Sequence, residues 1–418
     1  MSYTFTDLTV AEFEGFIKVF RETPVFQTPA WAKVKSGWQN AYFGVKDESG
    51  ALCGATMMLI RRIVPAFAFG YCPRGPLLDW KDNEALACMT EGLRAYAKKH
   101  GVCYVKIDPQ IPRAVTLPQP ECYNPFEGKQ AEYDAAHEAI QAQGYRHKGL
   151  FPQLRSTIQP RFNTMIALKD RNGTPLTPEQ LLKSYRPKGR RYLGAFPIAR
   201  GVSATVHPAT EESVETFARL IRATEARQNI HLRGESYFTQ MASAFGENAK
   251  IVLTKCHVET YEQTLKKRLA AEPENAEKLQ KQLDEAAQIR KERGDDVTLA
   301  GSLIVYPPNE DGLKIAEDLY GGADLSVFSS FRITMNGLHG MACYCAEQGY
   351  DLLNLGGVEG TLDDGLYEFK SQFAPIVVEF YGEYDLIVSP LRYKILEKYL
   401  PAALRLYKKI LRRQKKEV

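Results

Sequence analysis

The chain has 418 residues, of which 44% are hydrophobic and 25% charged, and its formal net charge is +4. This size and composition support two or three domains with buried cores, and they exclude intrinsic disorder, collagen and a small disulfide scaffold. Because the sequence contains neither a run of roughly 20 unbroken apolar residues nor the basic-then-apolar order of a signal peptide in residues 1–16, we expect a cytoplasmic protein.

Cysteine and histidine spacing indicates chemistry without a metal. The eight cysteines form no CxxC pair, and the seven histidines show no HExxH spacing, so we expect reduced thiols and no metal site. The nucleotide-binding signatures GxGxxG and GxxxxGK[ST] are also missing. The sequence therefore predicts no cofactor.

The first part of the chain predicts a helix followed by a strand hairpin, a second helix and a further strand. Thr9 and Glu12 have the spacing of a capping box, which starts the first helix. Gly101 stops the second helix. The elements after the first helix are Tyr42–Lys46, Gly54–Ile60, Glu84–Lys99 and Val102–Ile107.

The second part of the chain repeats this order. A helix begins near Thr210, and the later elements are the strands Lys250–Leu253 and Gly301–Tyr306, a helix before Gly349 and the strand Leu352–Leu355. Gly54 and Gly101 are 47 residues apart, and Gly301 and Gly349 are 48 apart. The pattern indicates a duplicated α+β unit with largely antiparallel sheets.

An insertion at 257–296 separates the hairpin strands of the second unit. Apolar or small side chains recur there at spacings of three and four residues, and Pro273 interrupts them. We predict two antiparallel helices that form a coiled-coil arm. A solvated hairpin without a ligand and a homodimer contact remain alternative roles.

The predicted organisation is a first domain over 1–150 and a second domain over 151–390 that carries the 257–296 arm. Residues 391–418 are predicted to form an amphipathic helix that packs on the first domain. Residues 401–418 hold seven Lys or Arg against one Glu. Such a cluster is typical of a solvated helix end, or of a segment that binds phosphates of nucleic acid or of the inner membrane surface.

Eight sequence blocks run in order along nearly the whole chain: FQTPAWAKVKSGW (26–38), YFGVKD (42–47), YCPRGPLLDW (71–80), STIQPRFNTMIALK (156–169), IHLRGESYF (230–238), LYGGADLS (319–326), LNLGGVEG (353–360) and GLYEFKSQFA (365–374). Together these blocks resemble the Fem family (FemABX/MurM-like) of tRNA-dependent peptidoglycan interpeptide-bridge aminoacyltransferases. The resemblance implies two tandem acetyltransferase-like (GNAT-like) domains, with the helical arm in the second.

The resemblance also implies the reaction. Family members move an amino acid (Gly, Ala or Ser) from aminoacyl-tRNA to the stem-peptide amine of a peptidoglycan precursor, which is lipid II or UDP-MurNAc-pentapeptide. The ester of aminoacyl-tRNA is already activated, so the reaction requires neither ATP nor metal. Catalysis then consists of positioning the amine and stabilising the oxyanion that forms.

By resemblance, four residues bind the phosphate end of the precursor: Lys35, Arg233, Tyr237 and Tyr320. Arginine binds phosphate through two parallel hydrogen bonds, and lysine acts as a mobile point charge. The alternative interpretation is that these are surface cations and packed tyrosines.

Lys370 and Asp108 are the candidate catalytic residues. Lys370 matches the family lysine near the acyl-transfer centre, and we assign it to the developing oxyanion or to the tRNA acceptor end. An exposed strand lysine between Phe369 and Phe373 is the alternative. Asp108 ends a strand before a proline, where its carboxylate would accept the proton of the attacking ammonium, or would simply form a turn.

Lys188, Arg190 and Arg191 lie in a stretch, 181–200, that contains no acidic residue. Such a run suits binding of a tRNA backbone, or it forms a solvated helix face. Pro187 and Gly189 depart from the uninterrupted helix start that is usual in the family.

Two other functions remain open from the sequence. The first is an acyl-CoA N-acyltransferase with the same fold, although the run Arg186–Arg191 fails the pyrophosphate-loop pattern at its last position. The second is a non-catalytic scaffold that binds the precursor.

Overall fold

The computed structural model describes residues 2–64 and 67–398. In these residues the strands form two sheets of eight strands each. In chain order the strands are β1 (Thr4–Asp7), β2 (Gln39–Lys46), β3 (Leu52–Val64), β4 (Phe67–Cys72), β5 (Leu77–Leu78), β6 (Val102–Ile107), β7 (Pro112–Thr116), β8 (Tyr145–His147), β9 (Phe162–Ala167), β10 (Val202–Pro208), β11 (Ala249–His257), β12 (Asp296–Val305), β13 (Ile315–Ala323), β14 (Leu352–Gly357), β15 (Ile376–Phe380) and β16 (Tyr384–Ile387).

The helices lie between these strands. In chain order they are α1 (Val10–Val19), α2 (Pro29–Val34), α3 (Asn83–Lys99), α4 (Gln130–Ala142), α5 (Pro178–Ser184), α6 (Pro187–Leu193), α7 (Ala195–Ile198), α8 (Glu211–Gln228), α9 (Glu235–Phe245), α10 (Val258–Ala271), α11 (Ala276–Arg293), α12 (Ile333–Glu347) and α13 (Gly365–Ser371). The capping box predicted at Thr9 is present, because the Thr9 hydroxyl accepts from the Glu12 amide and the Glu12 carboxylate accepts from the Thr9 amide.

The strand order confirms the duplication. The first sheet runs β1-β2-β3-β4-β6-β16-β8, with β5 paired to β3, and the second runs β10-β11-β12-β13-β14-β9-β15-β7. In both, three antiparallel pairings are followed by one parallel pairing, β4 with β6 and β13 with β14. The expected α+β class with two sheets is therefore confirmed.

Two strands belong to the sheet of the other predicted domain, so the predicted domain boundaries need correction at these strands. β7 lies within 1–150 but forms the edge of the second sheet, and β16 lies within 151–390 but completes the first sheet between β6 and β8. The physical reason is burial. Tyr384 and Leu386 of β16 are buried in the core cluster of the first sheet, which the 1–150 segment alone leaves incomplete.

The two halves share a hydrophobic core. One cluster of buried side chains contains Phe13 and Ile17 of α1 together with Phe217 of α8 and Leu303 of β12. Because packed interiors do not deform continuously, this shared core fixes the position of one sheet against the other. A cavity between the halves is therefore a defined part of the fold.

The insertion folds as two helices, α10 and α11, joined by a 3₁₀ turn at Pro273–Asn275. The spacing of three and four residues buries Tyr261 and Leu265 against Leu279 and Ala286. Arg290 near the end of α11 pairs with Glu259 at the start of α10, so the two helices are antiparallel.

The chain leaves the first sheet in a helix that begins at Pro390 and is described to residue 398. Its Tyr393 is buried, with its ring 5.2 Å from that of Tyr104 on β6. The remainder of the helix predicted for 391–418 lies outside the described residues. Among the helices of the described ranges, none is both long and apolar enough to cross a membrane.

Adjacent glycines in β13 provide a test of how closely β13 packs against α8. A Cβ at Gly322 would lie 2.7 Å from the Ile221 backbone nitrogen in α8, whereas a Cβ at Gly321 would meet its nearest atom, the Ser302 Oγ, at 3.5 Å. We expect Gly322→Ala to lower the free energy of unfolding by about 1–3 kcal/mol through overpacking, and Gly321→Ala to change it by less than about 0.5 kcal/mol. Urea unfolding of both variants measures the difference, and equal effects would contradict the close approach of β13 to α8.

Candidate functional site

A cavity of about 780 Å³ lies between the two halves of the chain. The first half contributes Trp31, Lys35 and Tyr71 to its wall, and the second contributes Arg233 and Tyr320. Tyr237 lines it as well, so all four residues predicted to bind the precursor meet in one place.

Helix α2 positions Lys35. The Thr28 hydroxyl caps this helix by accepting from the Trp31 amide, and Pro29 occupies its first turn, as proline favours. The helix ends at Lys35, whose Nζ lies 4.4 Å from the centroid of the Trp31 ring. The short helix thereby places the ammonium over an aromatic face inside the cavity.

Helix α9 brings the second cation to the same wall. Gln240 of α9 donates to the Lys33 carbonyl of α2 at 2.8 Å, which ties the two helices together. The Arg233 guanidinium lies 5.0 Å from the centroid of the Tyr237 ring, and the Lys35 Nζ lies 5.8 Å from the same centroid. The Tyr320 hydroxyl donates to that of Tyr237 at 3.2 Å.

The cavity is electropositive. Three cations line it, Lys35, Arg61 and Arg233, and its described lining contains no carboxylate. Burial and the neighbouring Arg233 guanidinium lower the pKa of Lys35 to about 8. The positive charges of Lys35 and Arg233 repel each other, and neither has an acidic partner among the described residues. Such a pair of cations is typical of a site that binds an anion.

Lys370 lies at the junction of β13 and β14 and does not line the cavity. It belongs to α13, where Asp364 caps the helix, and it is 8% exposed, so the alternative of an exposed strand lysine is wrong. Its Nζ donates to the Gly357 carbonyl of β14 at 2.8 Å. Burial lowers its pKa to about 8, although Asp318 and Asp364 oppose that shift.

Asp318 supports the charge of Lys370. Burial raises the pKa of Asp318 to about 7, and Lys370 and a hydrogen bond from Ser302 oppose the shift. A Cβ at Gly356 would lie 3.9 Å from the Lys370 Nζ and 4.0 Å from the Asp318 carbonyl oxygen, so both strands flank the ammonium. The Oδ1 atom of Asp318 is buried without a hydrogen-bond partner.

The ammonium of Lys370 occupies a gap in the second sheet. The parallel pairing of β13 with β14 ends at Glu317 and Asn354. On its other side, β13 pairs with β12 through a bulge: Tyr320 and Asp318 pair with consecutive residues of β12, and Leu319 between them is skipped. Leu319 and Tyr320 therefore both pack towards the cavity. Lys370 approaches from the other face, since its neighbour Phe373 belongs to the core cluster on that side.

Asp108 is enclosed in the fold. It is 1% exposed, its Oδ2 accepts from the Tyr71 hydroxyl at 2.8 Å and its Oδ1 accepts from the Arg74 amide at 2.6 Å. Burial raises its pKa to about 6, and Arg74 opposes this shift. The structure therefore does not bring Asp108 to the cavity wall; Tyr71 lies there, and Asp108 lies behind its hydroxyl.

The basic segment forms α6, which packs beside α13. Lys188 pairs with Glu368 of α13 at 3.4 Å, and a Cβ at Gly189 would lie 2.5 Å from the Gln372 carbonyl oxygen. Pro187 occupies the first turn, so Pro187 and Gly189 start the helix and let it approach α13. Arg190 and Arg191 are exposed. Because 187–193 are helical and Gly189 is buried, this segment is not a loop that cradles a pyrophosphate.

One group in the described ranges has the residue types of a metal site: His257, Glu259 and Asp295, at the base of the helical hairpin. The guanidinium of Arg290 already pairs with Glu259 at 3.0 Å and with Asp295 at 3.3 Å. The Arg290 guanidinium therefore neutralises these carboxylates, and the cluster is explained as an ion-pair network.

Sequence reasoning missed several residues of the site. Trp38, Arg61 and Tyr71 line the cavity, and Asp318 flanks Lys370. Trp38 and Tyr71 stand in the sequence blocks quoted above, and the Glu317-Asp318 pair within a strand is an unusual concentration of charge. Arg61 has no distinctive signal.

The fold and the site define a protein of two mixed sheets with a cation-lined cavity between them. The FemAB family profile matches residues 8–284 and 266–399, and the chain belongs to this family. The resemblance drawn from the sequence and the expectation of a transferase are therefore confirmed.

The chain is also similar to curated relatives and to solved structures. The lipid II:glycine glycyltransferases of Staphylococcus aureus strains RF122 and USA300 are each 24% identical to the chain, over 98% of this chain and 99% of theirs. The crystal structure of FemX has a TM-score of 0.73 at 22% identity, covering 95% of this chain and all of that one. A tandem GNAT protein from the clavulanic acid biosynthesis pathway has a TM-score of 0.47 at 11% identity, over 93% of this chain and 99% of that one.

Proposed function

We propose that the chain is an aminoacyltransferase that moves an amino acid from aminoacyl-tRNA to the stem-peptide amine of lipid II. The observation that carries the proposal is the Lys35–Arg233 pair, two cations that face the cavity without a carboxylate partner among the described residues. The names of the curated relatives make glycine the first donor to test and lipid II the first acceptor.

The cavity suits the phosphate end of such an acceptor. Arg233 offers a planar pair of donors for phosphate oxygens, Lys35 offers a mobile charge, and the hydroxyls of Tyr237 and Tyr320 add neutral donors. Binding a phosphate between the two cations relieves their repulsion, so the free energy of that repulsion favours the complex.

The donor approaches from the other face of the second sheet. The basic helix α6 packs against α13, and α13 carries Lys370 into the gap between β13 and β14. Contacts of Lys188, Arg190 and Arg191 with the tRNA backbone would place the ester of its 3′ end near Lys370. The acceptor amine and the donor ester then meet in the gap.

In the transfer, the amine attacks the ester carbonyl, the new C–N bond forms, and the ester C–O bond breaks as the tRNA hydroxyl leaves. The Lys370 ammonium stabilises the oxyanion of the tetrahedral intermediate. The amine loses one proton, and the leaving tRNA oxygen gains one. Asp108 takes part only through the Tyr71 hydroxyl, because no oxygen of its carboxylate is open to the cavity.

We also infer that each sheet is the centre of an acetyltransferase-like domain and that α10 and α11 form a coiled-coil arm. Three antiparallel pairings followed by a parallel one, repeated in both halves, support the first inference. The apolar seam between the antiparallel helices supports the second.

A matrix of donors and acceptors tests the function. Bulk tRNA charged with labelled glycine, alanine or serine is incubated with the protein and with lipid II or UDP-MurNAc-pentapeptide, with and without ribonuclease. We expect label to enter lipid II from one charged tRNA and ribonuclease to abolish this transfer. Labelled acetyl-CoA is tested as a further donor, and transfer from it instead of from tRNA would replace the proposal with an acyl-CoA N-acyltransferase.

The pH dependence of kcat follows from Lys370. Its ammonium is the form that stabilises the oxyanion, and its pKa is about 8. The acceptor amine attacks only when deprotonated, which raises kcat with pH in any variant. Deprotonation of Lys370 should superimpose on this rise a fall in kcat above about pH 8 that approaches tenfold per pH unit. Lys370→Arg, which stays charged, should remove this fall while retaining measurable transfer. Initial rates corrected for uncatalysed ester hydrolysis provide the measurement, and an identical alkaline limb in both proteins would contradict the assignment.

A further inference from the structure

Exposed apolar side chains concentrate beside the cavity. Of the ten large hydrophobic residues that are exposed in the described ranges, five lie in two short segments, 148–161 and 390–398. We call these five residues the rim: Leu150, Phe151, Ile158, Leu391 and Ile395. Leu391 is 72% exposed and Ile158 49%, although burial of either would be favourable.

The two segments form one surface. The Lys148 Nζ donates to the Tyr393 hydroxyl at 3.0 Å and pairs with Glu397 at 2.6 Å, which joins the 148–161 segment to the helix that begins at Pro390. Tyr393 and Leu396 face inward, so Leu391 and Ile395, four residues apart, are left on the outer side of this helix.

The rim meets the cavity at Ile158, and its helix segment is connected to the cavity wall by packed aromatic rings. Ile158 is itself part of the cavity wall. From the helix, a row of aromatic rings leads back to the cavity: Tyr393 contacts Tyr104, Tyr104 stacks on Phe69, and Phe69 meets Trp38, with centroids 5.2, 5.5 and 5.4 Å apart. Trp38 lines the cavity.

The charges around the rim are mainly basic. Arg155, Arg392 and Lys394 are exposed within the two segments, whereas Glu397 is paired with Lys148 and Arg146. Apolar side chains set among cations are the combination that binds the boundary between lipid headgroups and acyl chains.

We propose that the rim and the exposed cations beside it, Arg155, Arg392 and Lys394, hold the protein on the surface of an anionic lipid bilayer, with the cavity opening beside the headgroups. Four of the five rim side chains are aliphatic, so they suit insertion among acyl chains and offer no platform for stacking nucleic-acid bases. The inference rests on the proposed function in one respect: a lipid-linked acceptor presents its phosphates at that depth.

Binding to vesicles tests the surface independently of catalysis. The full chain is sedimented with vesicles of phosphatidylcholine alone or mixed with phosphatidylglycerol, at low and high salt. We expect binding to the mixed vesicles that weakens with salt. The double variant Leu391→Glu/Ile395→Glu should reduce binding about tenfold or more. Ile198→Glu, a change at a residue 76% exposed outside the rim, should bind as the unaltered chain does.

A second variant, and a comparison of transfer to lipid-linked and to soluble acceptors, add to this test. Replacing Arg155, Arg392 and Lys394 by Gln should weaken binding to anionic vesicles and flatten its salt dependence. Both variants should lose transfer to lipid II in vesicles and keep transfer to soluble UDP-MurNAc-pentapeptide. Equal binding to neutral and anionic vesicles, or variants that bind vesicles normally but bind tRNA more weakly, would overturn the proposal. Absence of transfer by any protein, with vesicle binding that still depends on the rim, would overturn the proposed function and leave the membrane surface supported.

Discussion

Lys370→Met is expected to lower kcat by about 10²–10³-fold, because it removes one preorganised cationic donor from the developing oxyanion. Methionine replaces the buried side chain with an apolar one of similar length, and Lys370 makes one hydrogen bond, to the Gly357 carbonyl. We expect affinity for the acceptor to stay within about twofold, since Lys370 does not line the cavity.

Two matched variants separate charge from structure in this experiment. Lys370→Arg keeps the charge and should retain part of the activity. Lys81→Met removes a lysine whose side chain is 63% exposed, just before α3 and outside the basic stretch 181–200, and should leave kcat unchanged. Single-turnover rates measure the chemical step, and thermal melting confirms folding. Unchanged turnover by Lys370→Met would remove Lys370 from the mechanism.

Replacing Arg233 by Ala is expected to raise KM for the acceptor about 10–100-fold, with kcat at saturating acceptor largely preserved. A hydrogen bond to a charged group contributes about 1.5–3 kcal/mol, which corresponds to this range. Lys35→Met should act in the same direction. The double variant should lose less binding free energy than the sum of the two single variants, because removing Arg233 also raises the pKa of Lys35 towards its ordinary value.

The neighbouring arginine on α8 provides the control. Arg222 pairs with Glu235 at 3.0 Å and does not line the cavity, so Arg222→Ala should leave KM within about twofold of the original value. Calorimetric binding of soluble UDP-MurNAc-pentapeptide measures the acceptor affinity directly. If Arg233→Ala instead weakened tRNA binding and left acceptor binding unchanged, the cavity would be a donor site and the assignment would be reversed.

Local signals predicted much of the fold. The capping box at Thr9, the glycine stop at Gly101 and the spacing of 3 and 4 residues in the insertion each act over a few residues, and the structure contains the helices they predict. The repeated glycine spacing also indicated the duplicated strand order. β4 and β13 are two of the strands that escaped prediction, and neither alternates cleanly between apolar and polar residues; β13 contains Glu317, Asp318 and two glycines.

Long-range pairing was beyond the sequence pattern. β7 and β16 join sheets on the far side of the predicted boundaries, and nothing within their five and four residues specifies which edge they occupy. Their partners lie hundreds of residues away in some cases: Lys106 on β6 pairs with Glu383 and Asp385. Such contacts depend on the packing of the whole hydrophobic core and not on local sequence.

The site divided in the same way. Resemblance brought Lys35, Arg233, Tyr237 and Tyr320 together correctly, since the structure gathers them around one cavity. It could not show that Asp108 is enclosed behind Tyr71, because the loop that encloses it folds back through Arg74. The helical setting of Lys370 was missed for a related reason: the aromatic pair Phe369 and Phe373 fits a strand or a helix equally well, and Asp364 decides by capping a helix.

In the proposed reaction, a cation-lined cavity presents a lipid-linked amine to an ester carried by tRNA. Mass spectrometry of lipid II after incubation with the purified chain and glycyl-tRNA, with fragmentation to locate any added residue, tests this reaction. We expect one glycyl group on the stem-peptide amine, absent after ribonuclease treatment and strongly reduced with Lys370→Met. Unmodified lipid II, recovered from a folded protein that binds both substrates, would disprove it.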